Sequence, residues 1–389
     1  MIKRICFDGY KSLAHSLIEP GPVTLLIGQN AAGKSNVVDG LRILAEAVAS
    51  DMETAVSRRG GIEAVVFRNT RPARFAIELD YFVPDPSAPH SRSDMRYSVQ
   101  VGDEQHRAVV LREELRVKRA RTEPGRMNLW FTAKLGKGRA VVDPENRMEI
   151  EFDTGDPGVL VLKALGFLAS YPRIRALRTF IEGWQFMQVN LNAIRTPRRD
   201  ERTTVLAQDA SNLVNVLRTL SNTGRAEVVA NIVADLRNLL SFVNTVDTSV
   251  DRGLVQLMVK ERFFDADIDP LCTSDGTLRL LALVTALHLM PEHGLLVVEE
   301  PEHGLHPLLF GPMLDLVRER CPKGRQVLLT THSPDLLDAA QTEEVVVVDR
   351  TENGSTRLSR LDAAKLAEWR QDFRLGELWR MRQIGGVPG

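Results

Sequence analysis

Cysteine is scarce in this chain: Cys6, Cys272 and Cys321 are the three among 389 residues, far apart and without a C-x-x-C pair. Such spacing builds neither a disulfide framework nor a zinc site, and it suits a reducing cytoplasm. Excess charge is scarce too. A formal net charge of −1 and a pI near 6.7 leave no global basic field to announce nucleic acid. Any DNA contact must then come from local patches or from a groove between two copies. No uncharged run approaches the ~18 residues of a membrane helix. The opening residues Met1 to Asp8 lack the apolar stretch of a signal peptide. Repeats are missing as well, and no sustained heptad run suggests a coiled-coil arm. These absences leave a soluble cytoplasmic chain with no membrane partner. At 43% hydrophobic and 26% charged residues, it has the composition of a globular protein and the length for two or three domains.

What is present begins with Gly28-Gln29-Asn30-Ala31-Ala32-Gly33-Lys34-Ser35, a match to G-x-x-x-x-G-K-[ST]. The apolar run Val23–Ile27 precedes it, and Val37, Val38, Leu41, Leu44 and Val48 follow at helical spacing. That is the strand–loop–helix setting a P-loop needs. Gly28 and Gly33 free the backbone to wrap phosphates, while successive N–H groups and the helix start, through Asn36, bind the anion. Lys34 is expected at the β- and γ-phosphates of ATP, and the Ser35 hydroxyl on Mg²⁺.

Three further segments lie downstream, at 274–277, 295–301 and 330–333. Leu295–Val298 ends in Glu299-Glu300-Pro301. Glu299 is expected to hold the Mg²⁺ water shell, and Glu300 to polarise an attacking water as general base. Ser274-Asp275-Gly276-Thr277 opens an apolar helix and reads either as an ordinary N-cap or as a second anion site. His332 follows the strand Val327–Leu329 and two threonines, where a neutral imidazole can switch on the γ-phosphate or the water. His303 and His306 with Glu302 also invite a metal reading, against which stands their position in a loop expected to contact a second copy.

Alternating apolar residues from Arg74 to Phe152 (Phe75, Ile77, Leu79, Tyr81; Met95, Tyr97, Val99, Val101; Met148, Ile150, Phe152) predict an antiparallel meander with one wet face. Its turn signals include Pro84-Asp85-Pro86, Gly102-Asp103, Glu123-Pro124-Gly125, Gly136-Lys137-Gly138 and Asp143-Pro144-Glu145-Asn146. Helices are expected over about 209–220 and 226–243, a strand over Leu254–Val259, and alternating helix and buried strand from Thr277 onward, the pattern of a parallel sheet. The α/β chain thus divides into 1–73 (core with the P-loop), 74–158 (β insertion), 159–202 (return to core), 203–250 (helical lobe) and 251–389 (core with the remaining motifs).

Together these segments resemble the RecF/OLD/SMC-like branch of ABC-type ATPases, specifically the small AAA-family ATPases of DNA-repair and phage-defence loci. Gly9-Tyr10-Lys11-Ser12, the P-loop, Thr273–Arg279, Glu299–Pro307 and Thr331–Pro334 carry the likeness; Ser211-Asn212-Leu213 and the tail from Gly376 through Gly386 are similar more loosely. The resemblance implies an ABC/RecF-like head that hydrolyses ATP and pairs head to tail with a second copy. One copy's Lys34, Ser35, Glu299, Glu300 and His332 would meet the other's Ser274, Asp275 and Gly276. It also implies DNA or a separately encoded effector such as a nuclease as partner. The family's Gln between meander and helical lobe has only Gln188 as a candidate. Too few residues follow His332 for the nuclease domain fused to OLD-type members. A nucleotide-gated scaffold that restrains a toxin or nuclease, with little turnover, is the competing function. A membrane transporter subunit is disfavoured by Ser-Asp-Gly-Thr in place of the usual signature, and a hexameric motor does not explain that signature. For DNA, Arg112, Arg116, Lys118, Arg119, Arg121 and Arg126, and Arg195, Arg198, Arg199 and Arg202, form two basic clusters. The alternative is ion pairing with Glu113, Glu114, Asp200 and Glu201.

Overall fold

Period-two alternation and short aliphatic runs resolve into three sheets. The structure, a computed structural model of the chain, describes residues 1–68, 71–85, 88–118, 127–143, 148–322 and 324–386. Parts of the turns at 84–86 and 143–146, all of 123–125, and Arg119, Arg121 and Arg126 lie outside the described residues.

The largest sheet is antiparallel. It comprises β1 (Ile2–Tyr10), β2 (Leu13–Ile18), β4 (Arg74–Asp85), β5 (Ala88–Glu104), β6 (Arg107–Lys118), β7 (Met127–Lys134), β8 (Lys137–Asp143) and β9 (Met148–Asp153), in the order β2-β1-β4-β5-β6-β7-β8-β9. The meander therefore extends the N-terminal hairpin, with Phe7 opposite Ile77 and Ile5 opposite Leu79. Phe75, Ile77, Leu79 and Tyr81 point inward and pack with Leu41 and Leu44 of the helix Lys34–Ala49 and with Ile174 and Leu177 of the helix Pro172–Glu182. Arg4, Arg96, Glu78 and Asp80 pair across the outer face. The alternation fails to predict burial only at β9, where Met148 and Ile150 are exposed at the sheet edge.

The central sheet is built from β10 (Gln185–Met187), β14 (Leu295–Glu299), β15 (Gln326–Thr331), β3 (Val23–Ile27), β16 (Val345–Arg350) and β17 (Thr356–Arg360), in that order. All neighbours run parallel except the last pair. Its strands are aliphatic because helices cover both faces. Gln326, buried on β15, fastens the two sheets: Ile2 N–H donates to its Oε1 (2.6 Å), and its Nε2 donates to the carbonyls of Ile2 and Pro20 (both 3.0 Å).

The third sheet, β11 (Arg198–Arg199), β13 (Leu254–Glu261) and β12 (Val243–Asp251), sits with the helices Leu213–Asn222 and Ala226–Leu239. The second helix ends at Leu239, not Val243, and β12 was not expected. The run Val-Asn-Thr-Val-Asp-Thr-Ser-Val is rich in β-branched residues, which favour a pleated strand over a further helical turn.

Glu113 also departs from expectation. It is not a surface partner for arginines but is buried, accepting from Tyr97 Oη (3.0 Å), Val161 N (2.7 Å) and Leu162 N (3.3 Å). Burial pushes its carboxyl up to about 7. Among the described residues, no helix is long and apolar enough to cross a membrane.

Candidate nucleotide-binding site

β3 lies between β15 and β16, and its C-terminal end opens into the P-loop at the edge where ligands of parallel sheets bind. Gly28 and Gly33 stand at φ 158° and 119°, and Ala31 at 64°. A Cβ on Gly28 would meet the Val348 carbonyl at 2.3 Å, and one on Gly33 would meet Thr356 Oγ1 at 2.0 Å. Gly33 caps the helix Lys34–Ala49 without a side-chain hydrogen bond; the Asn36 N–H donates to the Gly33 carbonyl (3.0 Å), so no side chain occupies the N–H groups of Lys34 and Ser35 at the helix start. A relay braces the loop from behind. Asn36 Nδ2 donates to Ser12 Oγ (2.7 Å), Ser12 Oγ lies 2.6 Å from Thr356 Oγ1, and Thr356 Oγ1 donates to the Ala32 carbonyl (2.8 Å). The Asn36 side chain thus serves the loop's rear. Arg350 donates to the Ala31 carbonyl (3.1 Å). Gln29 is half-buried, while Asn30, Ala31 and Ser35 are exposed.

Lys34 is buried, its Nζ donating to the carbonyls of Gly28 (2.7 Å) and Gln29 (2.9 Å), 3.2 Å from His332 Nδ1. Burial lowers its ammonium to about 8, against the pull of Glu300 and Glu302. His332 Nε2 lies 3.1 Å from Glu300 Oε1. His332 Nδ1 also lies 3.1 Å from the Gly28 carbonyl, so the ring bridges the P-loop and Glu300. Glu300 Oε2 lies 3.1 Å from His303 Nε2. Glu300 follows β14 at φ 51°, with its N–H on the Thr330 carbonyl (3.0 Å). Glu299 Oε1 accepts from Arg42 Nη2 (3.0 Å), and that guanidinium lies 5.3 Å from the Phe186 ring centroid. Glu302 accepts from Thr331 Oγ1 and from His332 N (3.3 Å), fixing the switch loop, while its Oε2 is buried without a partner.

The structure thus brings Lys34, Glu300 and His332 into one hydrogen-bonded line, with Ser35 and Glu299 on the flanking segments. It does not bring Ser274, Asp275 or Gly276 to them: among the described residues, no hydrogen bond or ion pair joins that turn to the P-loop. Ser274 caps the helix Asp275–Leu289, accepting from Thr277 N (3.1 Å). Asp275 pairs with Arg195 (2.6 Å), which also holds the carbonyls of Pro270 and Thr273. A Cβ on Gly276 would lie 3.1 Å from the Gly304 carbonyl, so glycine lets this helix abut the loop after β14. Gln188 follows β10, in which Met187 sits opposite Val298, one residue short of Glu299.

The metal reading of Glu302, His303 and His306 is not supported. Glu302 faces Thr331, His303 faces Glu300, and His306 Nδ1 accepts from Leu308 N (3.3 Å). Among the described residues, no three His, Cys, Asp or Glu side chains gather as a metal cluster. Of the basic clusters, Arg112 and Arg116 both pair with Glu114 and Arg195 pairs with Asp275. Sequence reasoning missed Arg42, two turns past Ser35 on the same helix, and Thr356. Arg42 left a faint signal as a cation in an apolar stretch; Thr356 left none.

Residues 261–338 match the family model described as "AAA domain, putative AbiEii toxin, Type IV TA system". No curated protein matches the chain. Among solved structures, an SMC head bound to the C-winged helix domain of ScpA is similar, at 13% identity over 94% of this chain and 99% of that one, with a TM-score of 0.55. A Pyrococcus furiosus SMC head with an extended coiled coil, bound to the C-terminal domain of ScpA, is similar at 13% identity over 95% and 98%, with a TM-score of 0.53. At such identity the likeness is one of fold. In its fold the chain is like the SMC head domains, and residues 261–338 carry the likeness to the AAA-domain family.

Proposed function

We propose that this chain binds ATP with Mg²⁺ and hydrolyses it, two copies closing head to tail over the nucleotide. The observation that carries this reading is the Lys34–His332–Glu300 line at the mouth of a P-loop whose helix start has no side-chain cap. The donor set fits the ligand: loop amides and Lys34 for phosphate oxygens, the exposed Ser35 hydroxyl and Glu299 for a hydrated divalent cation. Mg²⁺ would supply charge that neutralises the phosphates during transfer. Lys34 would exchange its own-loop carbonyls for phosphate oxygens. That exchange would release Lys34 from His332, and Glu300 would orient and deprotonate a water. Ser274, Asp275 and Gly276 of the second copy would close the far side, which one chain leaves open.

Closure would act on DNA or on a separately encoded effector, in DNA repair or anti-phage defence, in a cytoplasmic setting. Support for that part is the family resemblance; the pairing of Arg112 and Arg116 with Glu114 weakens the direct DNA patch. One observation favours a slow, scaffold-like cycle that restrains a toxin or nuclease: both oxygens of Glu300 are already paired, with His332 and His303.

Light-scattering mass with and without ATP–Mg²⁺, alongside phosphate release, tests the reading on wild type and Glu300→Gln. We expect ATP to double the mass in both proteins. Turnover in the variant should fall by about 10²–10⁴-fold, the usual share of a general base. A mass that ignores nucleotide would sink the pairing, and an unchanged rate would remove Glu300 from the chemistry.

A further inference from the structure

The last described residues return to the P-loop. The helix Leu375–Arg380 lies on the helix Pro334–Asp338, which begins two residues after His332. Gly376 N–H donates to Asp338 Oδ1 (2.6 Å), and Arg380 Nη2 donates to Asp335 Oδ1 (2.6 Å). A Cβ on Gly376 would sit 2.1 Å from the Pro334 carbonyl, so only glycine permits this approach. The chain then turns through Gly385 and Gly386, both left-handed at φ 76° and 71°. Gly386 N–H donates to Asp349 Oδ1 (2.6 Å), and its carbonyl accepts from Trp379 Nε1 (3.1 Å). A Cβ on Gly386 would lie 3.4 Å from Gly28 Cα, the first residue of the P-loop. The residue after Asp349 is Arg350, which holds the Ala31 carbonyl. Residues 375–386 therefore touch the switch loop at one end and the phosphate loop at the other. Trp379, 7% exposed, closes the connection.

We propose that residues 375–386 are a positioning strap of the nucleotide site, holding Gly28 and the segment after His332 in register so that nucleotide occupancy and strap docking stabilise each other. This rests on nucleotide binding at the P-loop as proposed above. Gly28 has room for no side chain beside the Val348 carbonyl, and Gly386 lies against its Cα, so a displacement of Gly28 toward Gly386 would press on the strap. Binding free energies are reciprocal: a docked strap that raises affinity is itself tightened by nucleotide by the same factor.

Hydrogen exchange of the full chain, with and without a non-hydrolysable ATP analogue and Mg²⁺, tests the coupling. We expect amides of 28–36 and of 376–386 to slow together. Trp379→Phe keeps the ring buried but loses the hydrogen bond to Gly386. A single net hydrogen bond of about 1 kcal/mol predicts analogue binding about five-fold weaker, with strap exchange accelerated. Protection of 28–36 without any change in 376–386 overturns the strap while leaving nucleotide binding intact. So does wild-type affinity in a folded Trp379→Phe. If neither segment slows, the nucleotide reading fails and the strap falls with it. Should the variant not fold, the wild-type exchange pattern decides alone.

Discussion

The P-loop and the turn at Ser274, the two features proposed to face phosphate, are built in opposite ways. Around the P-loop the charged groups are cross-braced: Lys34 by two carbonyls and His332, His332 by Glu300, Glu299 by Arg42, and the loop's rear by Ser12, Thr356 and Arg350. The turn at Ser274 is exposed, held by its own helix and by Arg195, and among the described residues is joined to none of these by a hydrogen bond or ion pair. A site braced on one side and open on the other suits the proposed sharing of one nucleotide by two chains. The contrast also says where substitutions act: on the braced side they change affinity, and on the bare side they change pairing.

The largest effect should come from breaking the braced side outright. Lys34→Ala removes charge-assisted contacts worth on the order of 3 kcal/mol, so ATP should bind about 100-fold more weakly by calorimetry. The free protein should melt no lower, since a buried ammonium is lost. On the bare side, two variants sharpen the contrast. Ser274→Asp preserves an N-cap, so its melting temperature should hold, yet a carboxylate facing phosphate should abolish the ATP-dependent mass increase. Ser274→Ala should instead cost about 1 kcal/mol of stability. A Ser274→Asp protein that still pairs on ATP would erase the distinction.

A pH titration probes the braced side more gently. With Lys34 lowered to about 8, the folded chain holds fewer protons than the unfolded one between pH 8 and the ordinary 10.5. Stability should therefore rise with pH across that window, and Lys34→Ala should flatten the rise. Phosphate needs the charged form, so ATP affinity should be level below pH 8 and fall by up to about ten-fold per pH unit above it. Arg42→Ala should have the smallest effect. It frees the Glu299 carboxylate from a competing cation, and half-saturating Mg²⁺ for ATP-analogue binding should drop by about two- to five-fold, the size of a half-exposed ion pair.

What was legible in the sequence follows the reach of the interactions. The P-loop, the strand ending in Glu299-Glu300 and the cap at Ser274 are local: a few consecutive residues set both backbone and chemistry. The parallel alternation from Thr277 onward was legible because buried strands are continuously aliphatic. Arg42 meeting Glu299 spans 257 positions and Thr356 meeting Ala32 spans 324, and no local pattern encodes either meeting. β12 was hidden differently, because the apolar stripe of the preceding helix ran on by chance into Val243. Glu113 looked like a partner for its arginine neighbours, although its alternation with Leu115 and Val117 already placed it on the inward face.

Glu300 stands with left-handed backbone, a conformation that costs a non-glycine residue about 1–2 kcal/mol. The fold alone would favour glycine there. If Glu300 is the proposed general base, a lineage relieved of that task would drift at this position toward greater thermal robustness, and Asn or Gly at 300 in a relative would mark a catalyst retired into a scaffold.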